Sequence, residues 1–175
     1  YAGCEMALMN CYYENLKAIA ARTFSGKTRQ EIDDIMATKI ALENSIIGYR
    51  LKKYYPDMTP EEIKGYMLGF WREPPRKLLD TALNAKTAEE YLEILKNARY
   101  ISGLGDEEIQ SIGFGSQGIR SLLSQRYMRR TQHPAVAFVC FMFYSEMEID
   151  NIVRIVEAVR YGMAPNEIMQ LLVIL

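Results

Sequence analysis

Apolar residues recur at three- and four-residue steps along most of the chain, and alternating runs bounded by hairpin turns are missing, so the pattern predicts an all-α protein with strand content close to nil. Leu8, Cys11, Tyr12, Leu16 and Ile19 keep that step and predict a first helix of about five turns, ended at Ser25-Gly26. Thr28, with Glu31 three residues later, reads as a capping box opening a long helix that continues to about Tyr55. Pro56-Asp57 stops it. Thr59-Pro60-Glu61-Glu62 then restarts a short helix, with a cap, a proline at the first position and two acids at the positive end of the dipole. Residues 75–85 and 87–98 read as two more short helices, the second opened by Thr87 with Glu90. Pro134 starts the longest helix, which runs to about Tyr161; Gly162 stops it and Pro165 opens the last.

Between these helices, residues 101–118 carry five glycines and no apolar period, which marks a linker. The expected organisation is therefore a helical repeat unit over 1–105, then a helical hairpin with a last helix over 106–175. The hairpin's first arm is a basic helix over 117–132 with Arg120, Arg126, Arg129 and Arg130. Folded back on the helix that follows, Arg120 would lie as far from the turn as Glu148 and meet it in an inter-helix ion pair, and one aromatic, Tyr127, is too few for stacking on RNA bases.

Composition narrows the function. The 175 residues are 49% hydrophobic and 25% charged, enough to bury a core, and 21 Lys+Arg against 22 Asp+Glu give a formal charge of −1. That balance lacks the basic field a nucleic-acid binder uses, so no nucleic-acid partner is expected. Three cysteines, at 4, 11 and 140, and one histidine supply neither a disulfide framework nor a standard zinc site, and a reducing cytoplasm suits them. The longest apolar run, 135–144, is about half the length that crosses a bilayer, so no transmembrane segment is expected. The chain begins with Tyr1 and without a signal peptide, and it ends LLVIL, so it is expected to be part of a longer protein.

Residues arranged for chemistry are scarce in the chain. Gly113-Phe114-Gly115-Ser116-Gln117-Gly118 fits a dinucleotide glycine pattern, but no strand precedes it, and it reads as an inter-helix connection. His133, before Pro134, has no Ser or Cys nucleophile signature nearby and reads as a cap or turn residue. Glu146, Glu148 and Asp150 fan out by 100° steps, forming a rim rather than a carboxylate pair. The Phe138-Phe141-Met142 stripe reads as core and not as a cofactor pocket. No catalytic residue, cofactor or metal ligand is assigned, which leaves a non-enzymatic role or a helical adaptor.

One feature repeats. MTPEEI at 58–63 and MAPNEI at 163–168 agree at four of six positions, and each follows a long helix carrying an Asn and an Arg, Asn44 with Arg50 and Asn151 with Arg154. YRLKKYYPDMTPEEI at 49–63 and EMEIDNIVRIVEAVRYGMAPNEI at 146–168 resemble signature stretches of the C subunit of the V/A-type rotary ATPases, whose eukaryotic V-ATPase counterpart is the d subunit. The likeness extends through YAGCEMALMNCYYENLKAI at 1–19 and KTAEEYLEILKNARY at 86–100.

The resemblance implies three similar helical domains in a funnel, long helices joined by short capped ones, with this chain as the C-terminal half. It implies a central-stalk protein that caps the membrane proteolipid ring on the cytoplasmic side, receives the shaft subunits D and F, and couples rotation to ion transport, whether of protons or sodium. In the family an acid precedes the Asn by three residues and an Arg follows it. Glu148, Asn151 and Arg154 keep that order, and Asp150 with Arg154 adds an i,i+4 pair. At the first copy Ala41 takes the acid's place, with Glu43 nearby, so either Glu43 substitutes or that cluster is structural. These polar groups either bind the shaft or bond one helix to another. Arg50, Lys52 and Lys53, three cations too close together to find internal mates, are the expected partner rim. A surface normally covered by the missing half predicts concentration-dependent self-association.

Overall fold

The computed structural model describes residues 2–72, 76–98, 128–129 and 131–172, and the chain divides into two compact units, residues 1–113 and 114–175. Among the described residues every regular element is an α-helix. In the first unit these are α1 (Ala2–Thr23), α2 (Gly26–Tyr54), α3 (Pro60–Gly65), α4 (Arg76–Leu83) and α5 (Ala88–Asn97). The second contains α6 (Pro134–Arg160) and α7 (Pro165–Leu171). The glycine-rich segment, the basic helix and the joint expected near residue 105 lie outside the described residues, apart from helical Met128 and Arg129.

The first unit is built around α2. Lys39, Ile40, Ala41 and Leu42 are all buried, so a full turn of that helix is enclosed on every side. Tyr91, Leu92 and Leu95 are buried on α5, which packs against α2 on one side and α4 on another; α4 buries Ala82 and Leu83 and also meets α3, where Ile63 is buried, and Met67, Leu68 and Trp71 are buried in the segment after α3. α5 comes unusually close at Gly48, where an added Cβ would lie 2.3 Å from the Tyr91 hydroxyl oxygen. α1 buries Tyr13 and Ala20 and leaves Leu8, Tyr12 and Ile19 exposed.

The capping box expected at Thr28 is overturned. Gly26 takes a left-handed φ of +57° directly after extended Ser25, which reverses the chain and starts α2 before Thr28 is reached. Arg29 N–H then donates to the Ser25 carbonyl. At Thr87 the hydroxyl accepts from Glu90 N–H at 3.1 Å, while the Glu90 carboxylate turns to Lys86 N–H at 2.8 Å.

In the second unit, Val136, Cys140, Met147 and Ala158 are the buried residues of α6. Phe138, Phe141 and Met142 were expected in the core and are instead exposed. Cys140 takes the inward position, and residues two steps either side of it point about 200° away around the helix. His133 caps α6 as expected: its Nδ1 accepts from Ala135 N–H at 3.2 Å, with Pro134 at the first helical position.

Candidate functional site

The repeated Met-x-Pro-x-Glu-Ile stretches form two junctions of the same kind, each passing from a long helix to a short one. At the first, Thr59 Oγ1 accepts from Glu62 N–H at 3.3 Å and Glu62 Oε2 accepts from Thr59 N–H at 2.7 Å, closing the capping box. The Thr59 amide and hydroxyl hold the Glu62 carboxyl below its ordinary range. Ile63, fully buried, anchors the short helix to the core.

The segment after α3 is tied down by polar side chains from α1 and α2. Asn44 Nδ2 donates to the Leu68 carbonyl at 2.8 Å, and Leu68 N–H donates back to Asn44 Oδ1 at 2.7 Å. Gly69 N–H donates to Asn10 Oδ1 at 2.6 Å, and Lys17 Nζ donates to the Trp71 carbonyl at 2.6 Å. Trp71 Nε1 donates to Asp33 Oδ1 at 2.8 Å, and Arg29 Nε to Asp33 Oδ2 at 2.7 Å. Arg72 pairs with Asp34. Burial pushes the Asp33 carboxyl up, but the hydrogen bonds from Arg29 and Trp71, aided by the charges of Arg29 and Arg72, outweigh it and leave the group below its ordinary value.

The second junction reaches a similar form by different chemistry. Gly162, at φ +70°, lets Met163 N–H donate to the Ala158 carbonyl and its own N–H to the Val159 carbonyl, a Schellman stop in place of the proline at 56. Ala164 has no hydroxyl to offer, so only half the box remains, with Glu167 Oε2 accepting from Ala164 N–H at 2.8 Å. Arg154 Nη1 donates to the Leu171 carbonyl at 2.8 Å, holding the end of α7 much as Asn44 holds Leu68.

The residues singled out in the sequence separate into two groups. Asn44 is buried and committed to the Leu68 backbone, and Arg154 turns to Leu171 rather than to Asp150. Lys52 does find an internal mate, against expectation: its Nζ donates to the Ala85 carbonyl at 2.7 Å, and burial lowers its pKa despite the nearby Glu90. Lys53 is exposed, with Nζ 3.2 Å from the Tyr49 hydroxyl and 5.3 Å from its ring centre, and that hydroxyl raises its pKa. Arg50 and Glu148 are exposed and Asn151 is half-buried.

Tyrosines at the junctions join these groups. Tyr54 and Tyr55 are exposed at the end of α2 beside Arg50 and Lys53, and Tyr161 is 78% exposed at the end of α6. Their signal was available, since a Tyr stands at the last turn before each Met-x-Pro motif. Tyr beside Arg is typical of surfaces that bind other proteins. No three His, Cys, Asp or Glu side chains among the described residues come together as a metal site.

Long helices closed by proline-started short ones, with polar side chains tying down the backbone that follows, define an all-α scaffold. The family model of the ATP synthase (C/AC39) subunit matches residues 2–171, and the chain belongs to that family, the C or d subunits of the V/A-type ATPases. No curated protein and no solved structure matches it. No helix among the described residues is long and apolar enough to cross a membrane.

Proposed function

We propose that this chain works as the non-catalytic central-stalk subunit of a V/A-type rotary ATPase, carrying rotation between the shaft subunits D and F and the proteolipid ring during ion transport. It would sit peripherally on the cytoplasmic face of the membrane, held by the complex. The observation that carries this reading is the family match across residues 2–171. The bonding pattern supports it, because a torque-bearing body needs its internal segments fixed, and Asn44, Asp33, Lys17 and Arg154 each fasten a backbone or side-chain group of a neighbouring segment.

In this reading Asn44, Lys52 and Arg154 stiffen the scaffold. The partner-facing groups are Arg50 and Lys53 with Tyr54 and Tyr55, and Glu148 with Asn151 in the second unit. The test is co-purification of the protein, in its full-length form, with the ring and the D and F subunits. The parent should be retained, and Arg50→Glu with Lys53→Glu should weaken retention while leaving the helical circular dichroism intact. A parent protein that joins neither ring nor shaft would refute the assignment.

A further inference from the structure

Residues 68–72, which follow α3, are gripped from two sides. From α2, Asn44 bonds both backbone groups of Leu68, Asp33 accepts from the Trp71 indole and Asp34 pairs with Arg72. From α1, Asn10 accepts from Gly69 N–H, and Lys17 Nζ donates to the Trp71 carbonyl while lying 6.0 Å from the centre of the Trp71 ring. Lys17 and Asp33 stand eight residues either side of Ser25. Trp71 therefore joins the two arms of one helical hairpin at the same distance from its turn.

The two arms are anchored unequally. Among the described residues of α1 only Tyr13 and Ala20 are buried, against eleven in α2. The turn between them is open: Gly26 sits at φ +57°, and no heavy atom among the described residues lies within 4 Å of the place a Cβ would take. A helix with so small an apolar anchor depends on directional bonds. Asn10 and Lys17 both spend theirs on residues 69–71, and that segment is in turn fixed to α2.

We infer that residues 68–72 are a latch for α1: with Trp71 seated on Asp33 the helix is held, and when Trp71 leaves, α1 swings out about Gly26 while α2 to α5 stay folded. Asp33 bonds Arg29 and Trp71, so its influence on α1 passes through Trp71. The device rests on these bonds and not on the place assigned to the protein in the rotary complex.

The test is hydrogen exchange, amide by amide, on the whole 175-residue chain. Thr59→Ala weakens the unit away from the latch. It should speed exchange about fivefold at Tyr91, Leu92 and Leu95, which open only when the unit unfolds, and leave α1 between Met6 and Ala20 at its original rates. Asp33→Ala should speed exchange in α1 about tenfold, although the substituted residue lies on α2. Lys17→Met, a change at the surface that leaves the core intact, gives the same reading from the other arm. Combined with Asp33→Ala it should produce less than the product of the two single effects, because both act on Trp71. Equal acceleration of α1 and α5 in Thr59→Ala would show that α1 opens only with the whole unit. Unaltered α1 rates in Asp33→Ala or Lys17→Met, or a double variant that reaches the full product, would show that the segment does not link the arms. Each of these results overturns the inference.

Discussion

Asn44 and Leu68 are joined by two hydrogen bonds, side-chain amide to backbone carbonyl at 2.8 Å and backbone amide to side-chain oxygen at 2.7 Å, inside the first unit. The carboxamide pairs with the backbone as a second peptide group would, which lets the chain leave α3 through the core without stranding polar groups. Asn44→Ala would leave both Leu68 groups buried and unpaired, and the expected loss is about 2–4 kcal/mol in urea unfolding. Asn44→Asp should fail differently. An ionised carboxylate cannot donate to the Leu68 carbonyl and is costly to bury, so its folded pKa should lie above the unfolded one. Stability of that variant should therefore improve as pH falls toward the carboxylate range.

Gly48 is needed for space rather than for backbone conformation. It lies within α2, where a methyl group would collide with the Tyr91 ring and hydroxyl. Gly48→Ala is normally helix-stabilising, yet here it should destabilise by about 1–3 kcal/mol. Thermal unfolding of Gly48→Ala alone and combined with Tyr91→Phe gives the check, and removal of the Tyr91 hydroxyl should recover part of the loss.

Asp33 makes the fastening of Trp71 sensitive to acid. Its carboxyl is depressed below 3.8, so its contribution is complete above the unfolded value and is lost as pH falls through the lower folded one. The chain has a single Trp, so indole fluorescence reports this contact without interference. A fluorescence change should occur below pH ~4, and Asp33→Ala should show the altered emission at neutral pH with a loss of about 1–3 kcal/mol.

Thr59 and Glu62 cap a helix of six residues that has little stability of its own. Thr59→Ala should cost about 1 kcal/mol, measured by chemical unfolding, whereas Thr59→Ser should be nearly neutral because the hydroxyl is retained. The second junction already lacks that hydroxyl, so Ala164→Ser is expected to gain a few tenths of a kcal/mol or more.

Arg154 offers the sharpest separation between fastening and partner contact. Arg154→Met keeps much of the apolar stem and removes the donor to Leu171. Hydrogen exchange should speed up in α7 and remain unchanged in α2. No change in α7 protection would show that the hydrogen bond does not hold that helix.

Much of the helical framework was legible from one-dimensional cues, because Pro, Gly and Thr-x-x-Glu act within a single turn. The stops after Tyr54 and Arg160, the restarts at Pro60 and Pro165 and the His133 cap all follow from residues at most three positions away. Thr28 misled because Gly26 had already started the helix, a choice that depends on a left-handed dihedral and not on residue pattern. The roles of the polar residues were not legible. Asn44 and Leu68 stand 24 residues apart, and Lys52 and Ala85 33 apart, so local spacing carries no trace of either bond.

The amino-acid order alone determined that the chain is helical, where most helices begin and end, and that two junctions share a motif. Tertiary packing decided which face of each helix is covered. Phe138 and Met142 read as core and lie outside, while Lys52 read as rim and is anchored within. The physical reason is that α6 is apolar on more than one side, so periodicity marks it as a helix without saying which stripe faces inward; only the neighbouring segments, by filling one side, make that choice.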